Sequence, residues 1–248
     1  MSKAILYDST LCIGCKACEQ ACAARWGMAY NDKIAAEEQI SAHKLTCIQT
    51  HGEHFSRRLC MNCVQPACAS VCPVGAIQKT GLGPVVYDAS KCIGCRYCMQ
   101  ACPFQVPTYE WGRRLPRMRK CDMCYERQSR GQLTACAEAC PVGATRSGDR
   151  GELLAEARKR IADKPDQYYP AIYGLQEAGG TSVFYLSAVP FAQIGLPANV
   201  PREALPDYTW RVLEVIPGVA STGGVLLAGI WWIAHRRAEV AKAERERQ

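Results

Sequence analysis

Sixteen of the seventeen cysteines in this 248-residue chain fall into four local groups of four. Cys12, Cys15, Cys18 and Cys22 form C-x2-C-x2-C-x3-C, and Cys92, Cys95, Cys98 and Cys102 repeat that spacing. Cys60, Cys63, Cys68 and Cys72 form C-x2-C-x4-C-x3-C, while Cys121, Cys124, Cys136 and Cys140 form C-x2-C-x11-C-x3-C. Three cysteines on one tight, Gly-containing loop can aim their sulfurs at three iron corners of a single cubane, and such a loop cannot easily deliver the fourth. The chemistry implied is one-electron transfer through [4Fe-4S] centres. Four such clusters need the sixteen thiolates that are present.

Other uses of cysteine fit less well. Structural zinc also takes paired C-x2-C motifs, but four tetrahedral sites have no use for C-x2-C-x2-C triplets or Cys-Pro endings. A disulfide framework is disfavoured by chain length, by the local clustering and by the odd total of 17. Cys47 lies outside every motif and reads as a buried structural thiol.

Internal repeats show how the groups are related. Tyr7 to Cys22 (YDSTLCIGCKACEQAC) matches Tyr87 to Cys102 (YDASKCIGCRYCMQAC) at an offset of 80, and CASVCPVGA from Cys68 matches CAEACPVGA from Cys136 at an offset of 68. Two motif types therefore alternate, as expected of a duplicated two-cluster ferredoxin. In such ferredoxins the last cysteine of each run ligates the other cluster, and it is expected to lead into a short helix. Pro73, Pro103 and Pro141 follow the last cysteine in three groups, but Ala23 follows Cys22. Simple tandem duplication would pair neighbouring motifs.

With four such motifs, the stretch YGLQEAGGTSVFYLS from Tyr173 to Ser187, and one terminal apolar segment, the chain resembles the iron–sulfur beta subunits of membrane-bound respiratory formate dehydrogenases over nearly its whole length. The resemblance implies an α+β fold of two nested, pseudo-symmetric ferredoxin-like domains with sparse secondary structure, followed by one transmembrane helix. Residues 1–50 and 111–150 would form the outer domain and 51–110 the inner one. Residues 151–210 would contact a partner subunit. Residues 215–234 would span the membrane, leaving 235–248 as a basic tail. By the same resemblance, one cluster takes Cys12, Cys15, Cys18 and Cys140, and a second takes Cys22, Cys121, Cys124 and Cys136. The third takes Cys60, Cys63, Cys68 and Cys102, and the fourth takes Cys72, Cys92, Cys95 and Cys98. The implied partners are a molybdopterin (Mo or W) catalytic subunit and an integral-membrane cytochrome b or quinone-reducing subunit. A closely similar subunit of nickel–iron hydrogenases, or of another molybdopterin reductase, is the alternative, and a zinc-stabilised interaction module is a remote one.

The rest of the chain shows no substrate chemistry. There is no Gly-rich phosphate loop, no serine nucleophile elbow and no His–carboxylate metal motif, so no catalytic residue is assigned. His43, His51 and His54 lie in a polar insertion and read as surface residues. The formal charge of +7 is offset by cubanes that each carry about −2 with their thiolates, so no nucleic-acid partner is expected. Arg113, Arg114, Arg117, Arg119 and Lys120 read as a compensating field beside the clusters. With only four Phe in 248 residues, inorganic clusters are expected to replace part of the apolar core.

Regular elements are expected where the pattern supports them. Ala4 to Tyr7, Val85 to Tyr87 and Thr181 to Leu186 read as strands, and the stretches after each final cysteine as short helices. Glu152 to Ala162 sets Leu153, Leu154, Ala157 and Ile161 at helical spacing, with packing on its own domain favoured. Val215 to Ala234 is free of charge and, at about 1.5 Å per residue, reaches roughly 30 Å, enough to cross a bilayer. Trp231 and Trp232 suit an interfacial belt, and Ser221 to Gly224 offer a small-residue face, although Pro217 weakens the run. His235 reads as an interfacial anchor. Arg236, Arg237, Lys242, Arg245 and Arg247 after the span place the C-terminus in the cytoplasm and the cluster region on the periplasmic face of the inner membrane. Met1 to Leu11 shows no secretory signal, and the resemblance implies export on a partner's twin-arginine signal.

Overall fold

The first strand, β1 (Lys3–Asp8), is the centre of the largest sheet, and its residues from Ala4 to Asp8 are buried. The computed structural model describes residues 2–114 and 116–247; the bounds 1 and 248 of the expected segments, and Leu115, lie outside them. β1 pairs antiparallel with β8 (Thr145–Asp149), which follows the fourth cysteine motif, and parallel with β9 (Val183–Leu186). Three antiparallel hairpins complete the strands. They are β2–β3 (Cys47–His51, His54–Arg58), β4–β5 (Ile77–Lys79, Val85–Tyr87) and β6–β7 (Thr108–Tyr109, Met118–Arg119).

The helices near the cysteines are short: α1 (Ala17–Arg25), α3 (Ala67–Ser70), α4 (Tyr97–Gln100) and α6 (Ala135–Glu138). α3, α4 and α6 contain the third cysteine of their group and end before the fourth rather than following it, which corrects the sequence expectation for those three groups. The cause is proline: a residue before proline is pushed out of the helical region, so the chain leaves the helix by Cys72, Cys102 and Cys140. At Cys22, where alanine follows, α1 continues to Arg25 and stops only near Gly27, whose φ is 62°. α1 packs on α6, and α3 packs on α4. Arg25 at the end of α1 makes a two-pronged ion pair with Asp122 (2.9 and 2.8 Å), joining the first motif to the fourth.

α7 (Arg150–Asp163) buries Leu153 and Ala157 with Ala4, Leu6, Phe184 and Leu186, so the amphipathic helix covers its own sheet as expected. It also seals Asp8, which accepts from Arg160 (2.7 Å) and from the Tyr168 hydroxyl (2.8 Å). In the repeat, Asp88 makes the same turn to Ser90 N–H (2.9 Å) that Asp8 makes to Thr10 N–H (3.0 Å), but there the aspartate is exposed.

The insertion expected to be polar surface is built differently. After a one-turn α2 (Asp32–Ala36), Lys44 is buried and pairs with buried Glu19 at 2.8 Å, and the Tyr30 hydroxyl donates to the same carboxylate at 2.8 Å. Removing one partner of a buried pair costs about 3–5 kcal/mol, because the other charge is stranded. Lys44→Met should therefore lower the thermal unfolding midpoint of the protein by about 6–20 °C; an unchanged midpoint would show that the pair is dispensable. His43 is exposed, whereas His51 bonds Ser56 at 3.0 Å.

Residues 206–248 form a separate unit. It contains an amphipathic helix, α8 (Leu205–Leu213), and the long α9 (Ile216–Glu246). α5 (Tyr125–Ser129) completes the helices described. Pro217 falls in the first turn of α9, where its missing N–H is no loss, so it does not interrupt the helix. The helix continues through the basic tail, where His235 stacks on Trp231 (5.0 Å between centroids). This region holds the one helix among the described residues that is long and apolar enough to cross a membrane.

Candidate metal centres

The first C-x2-C segment of each group turns on a left-handed residue immediately before its second cysteine. These are Gly14 (φ 69°), Asn62 (47°), Gly94 (72°) and Met123 (52°). The turn folds two sulfurs toward one side, which an extended segment, with its alternating side chains, cannot do. Glycine marks two of the four in the sequence. Asn62 is held by its side chain, which donates to Cys60 C=O (2.9 Å) and accepts from Val85 N–H (2.8 Å). Met123 is fully buried and its N–H donates to Cys121 Sγ (3.3 Å), a signal that sequence patterning does not carry.

Cys12, Cys15, Cys18 and Cys140 line one small cavity together with Tyr7, Ile48 and Thr145. Burial pushes Cys22 up to about 12, with Cys136 and Cys124 adding to the rise. Burial also raises Cys121, and Cys22 and Cys124 add to it. For Cys63 burial acts first, then Cys60, Cys102 and Cys68. For Cys98 burial is likewise the main cause, the Tyr109 hydroxyl opposes it, and Cys92, Cys95 and Cys72 raise the thiol further.

Burial pushes Cys18 up to about 12, Arg57 draws it back, and Cys136 of the fourth motif raises it. Besides burial and its own neighbours, Cys60 raises Cys121. Cys68 is pushed up to about 12 by burial and Cys60, and Cys98 adds to this. Cys136 is the exception: Arg57 and the Thr134 hydroxyl outweigh its burial and hold the thiol below the usual range. Cys47 is buried on β2 in the core, away from these groups, and burial pushes it up to about 11.

The donor set suits cubanes. Among the described residues no three His, Cys, Asp or Glu side chains converge on one point as a single-ion site requires; a cubane holds its thiolates at separate corners. Peptide N–H groups already point at sulfur: Ala76 to Cys72 (3.2 Å) and Thr145 to Cys140 (3.4 Å). Tyr109 Oη lies 3.4 Å from Cys98 Sγ. Among the described residues the buried hydroxyl of Tyr87 has no oxygen or nitrogen partner, and it faces Cys92, as an inorganic or cysteinyl sulfur acceptor would require. Such bonds tune cluster potentials.

The basic stretch divides by burial. Arg113, Arg114 and Arg117 form an exposed groove with Tyr87, Cys92 and Ile93, Arg119 pairs with Glu110 (2.7 Å), and Lys120 is buried against the carbonyls of Val85 and Cys121. The group that sequence reasoning missed is Arg57, buried among the thiols.

Residues 52–150 match the family model for a 4Fe-4S dicluster domain. Hydrogenase-2 operon protein HybA of Escherichia coli O157:H7 is 37% identical over 79% of the chain and 73% of its own length. The formate dehydrogenase iron-sulfur subunit of Haemophilus influenzae is 34% identical over 91% of the chain and 78% of its own length. The nitrate-inducible formate dehydrogenase iron-sulfur subunit of Escherichia coli K12 is 33% identical over 73% of the chain and 66% of its own. A ferredoxin-type cysteine arrangement without substrate chemistry, and relatives of this kind across most of its length, show that the chain belongs to the family of 4Fe-4S electron-transfer subunits that includes those of formate dehydrogenases and HybA, non-catalytic components of oxidoreductase complexes.

Proposed function

We propose that the chain holds four [4Fe-4S] clusters in a row and passes electrons from a molybdenum- or tungsten-dependent formate-oxidising subunit to a membrane cytochrome b or quinone-reducing subunit. The first cluster takes Cys12, Cys15, Cys18 and Cys140; the second Cys22, Cys121, Cys124 and Cys136; the third Cys60, Cys63, Cys68 and Cys102; the fourth Cys72, Cys92, Cys95 and Cys98. The sulfur neighbours described above support these sets and this order. The packing of α1 on α6 and of α3 on α4 supports an inner ferredoxin-like domain (51–110) nested in an outer one (1–50 and 111–150).

One observation carries the reading. Cys15 and Cys95 are the exposed cysteines, one in the first quartet and one in the fourth, while the second quartet is buried. Leu11, Ile13, Leu133 and Val142 are exposed around the first end, and Ile93, Tyr97 and Trp111 around the other. Apolar surface at both ends of a cluster row suits a docked electron donor and acceptor. The first end faces the catalytic subunit, with the outer surface of 151–210 beside it, and the fourth cluster lies nearer the membrane.

α9 anchors the chain in the inner membrane. Its 31 residues reach about 46 Å, so a span over 215–234 leaves further turns, with the basic tail, in the cytoplasm and the clusters on the periplasmic side. A hydrogenase partner is the second reading, favoured by the 37% identity to HybA. Electron paramagnetic resonance on the complex, extracted anoxically, separates the two. Formate alone should produce reduced-cluster signals; signals with dihydrogen alone would transfer the chain to a hydrogenase.

A further inference from the structure

Arg57, on β3, heads the largest fully buried side chains, at 1% exposure. Its Nε donates to Thr46 Oγ1 (2.9 Å) and an Nη donates to Thr145 Oγ1 (3.2 Å), both neutral hydroxyls. Among the described residues no carboxylate pairs with it; the groups that act on its charge are the sulfurs of Cys136, Cys18 and Cys121. A buried guanidinium without a counter-charge is strongly disfavoured, so a position like this is stable only where negative charge is supplied.

The surroundings join two quartets. Thr145, which receives the Nη bond, lines the cavity of the first quartet and donates its own N–H to Cys140 Sγ (3.4 Å). Ile48, paired with Arg57 across the β2–β3 hairpin, lines the same cavity. Cys136 and Cys121 belong to the second quartet. The backbone is fixed as well, because the Tyr185 hydroxyl donates to Arg57 C=O (2.7 Å).

We infer that Arg57 is a fixed positive charge shared by the first and second clusters, which raises the reduction potential of both and favours electron occupancy at the entry end of the row. The inference rests on the four-cluster reading. Each cubane with its thiolates carries about −2 and becomes more negative on reduction, so a cation held beside it in a low-dielectric interior stabilises the reduced form. Arg57 acts through the clusters as a positioning charge and does not itself accept electrons. Its two threonine bonds keep it from turning toward solvent.

The test compares Arg57→Met and Arg57→Lys with wild type in the intact complex, by iron content and by redox titration followed with electron paramagnetic resonance. Arg57→Met should retain wild-type iron. At a fixed solution potential, two of the clusters should show at least a tenfold lower ratio of reduced to oxidised form, which is ~59 mV for a one-electron centre. The other two should titrate as in wild type, and Arg57→Lys should recover most of the shift. Unchanged potentials in Arg57→Met, or an equal shift of all four clusters, would overturn the inference. If Arg57→Met loses iron, Arg57→Gln, which can still bond Thr46, is read by the same criteria; iron loss in both neutral variants shows a structural role and also overturns it. A wild-type complex without cluster signals would instead refute the four-cluster reading.

Discussion

Cys92→Ser is expected to reduce quinone reduction by the complex to background while leaving formate-driven reduction of an artificial dye largely intact. Cys92 shares its motif and its proposed quartet with exposed Cys95, and lines the groove with Ile93, Arg113, Arg114 and Arg117. If that quartet is the last link, electrons have already crossed three clusters when they reach it, and a dye can collect them upstream. A serine oxygen is a harder and weaker iron ligand than a thiolate. The peptide and hydroxyl groups around this quartet are arranged for sulfur, including the Tyr87 hydroxyl that faces Cys92. Loss of the fourth cluster, or a fall in its potential, then interrupts the row at its exit. Steady-state assays with quinone and with dye check this. Equal loss of both activities would contradict the order of the clusters.

Gly14→Ala should cost the complex its first cluster, whereas Gly94→Ala should leave all clusters in place. Both glycines hold the same left-handed turn in the same repeated sequence, with φ of 69° and 72°. The backbone cost of alanine there, about 1–2 kcal/mol, is therefore common to both. That cost alone is bearable, since Asn62 and Met123 occupy the equivalent turns with side chains attached. The difference is space. A Cβ on Gly14 would lie 2.6 Å from the Phe55 ring, while one on Gly94 meets nothing within 4 Å. Phe55 cannot readily withdraw, because its carbonyl receives the hydroxyls of Tyr7 (3.0 Å) and Ser9 (2.6 Å). Iron content and the resonance spectrum of each variant decide the matter. Identical behaviour of the two would mean that the ring contact is immaterial.

What the sequence made legible was the covalent chemistry and its repeats. The sixteen cysteines, the strands at Ala4 and Val85, and the helix over Glu152 to Ala162 can be read directly, because ligand spacing and apolar periodicity are local signals. The strand expected from Thr181 begins at Val183, since the Thr181 hydroxyl is engaged with the carbonyls of Gly174 (2.9 Å) and Val183 (2.7 Å) and turns the chain there. In three groups the short helix precedes the fourth cysteine instead of following it, because the proline after that cysteine disfavours a helical conformation at the residue before it.

The larger omissions concern charge. Lys44 and Arg57 in the polar insertion, and Glu19 within the first cysteine motif, look like surface residues, and only the three-dimensional arrangement provides partners that allow them to be buried. α8 was also missed; nine residues with Pro206 near the start offer too short a pattern to separate from the extension before it. In the proposed arrangement the quartets draw cysteines from opposite ends of the chain, and spacing alone cannot show which distant thiol completes a loop; the pairing is the one that the family resemblance implies.

Native mass spectrometry of the anoxically extracted complex, with release of this subunit in the gas phase, tests the central claim most directly. The account predicts the mass of the chain plus four intact [4Fe-4S] clusters. A mass corresponding to the chain with two clusters, or with zinc ions in place of iron and sulfide, would contradict it.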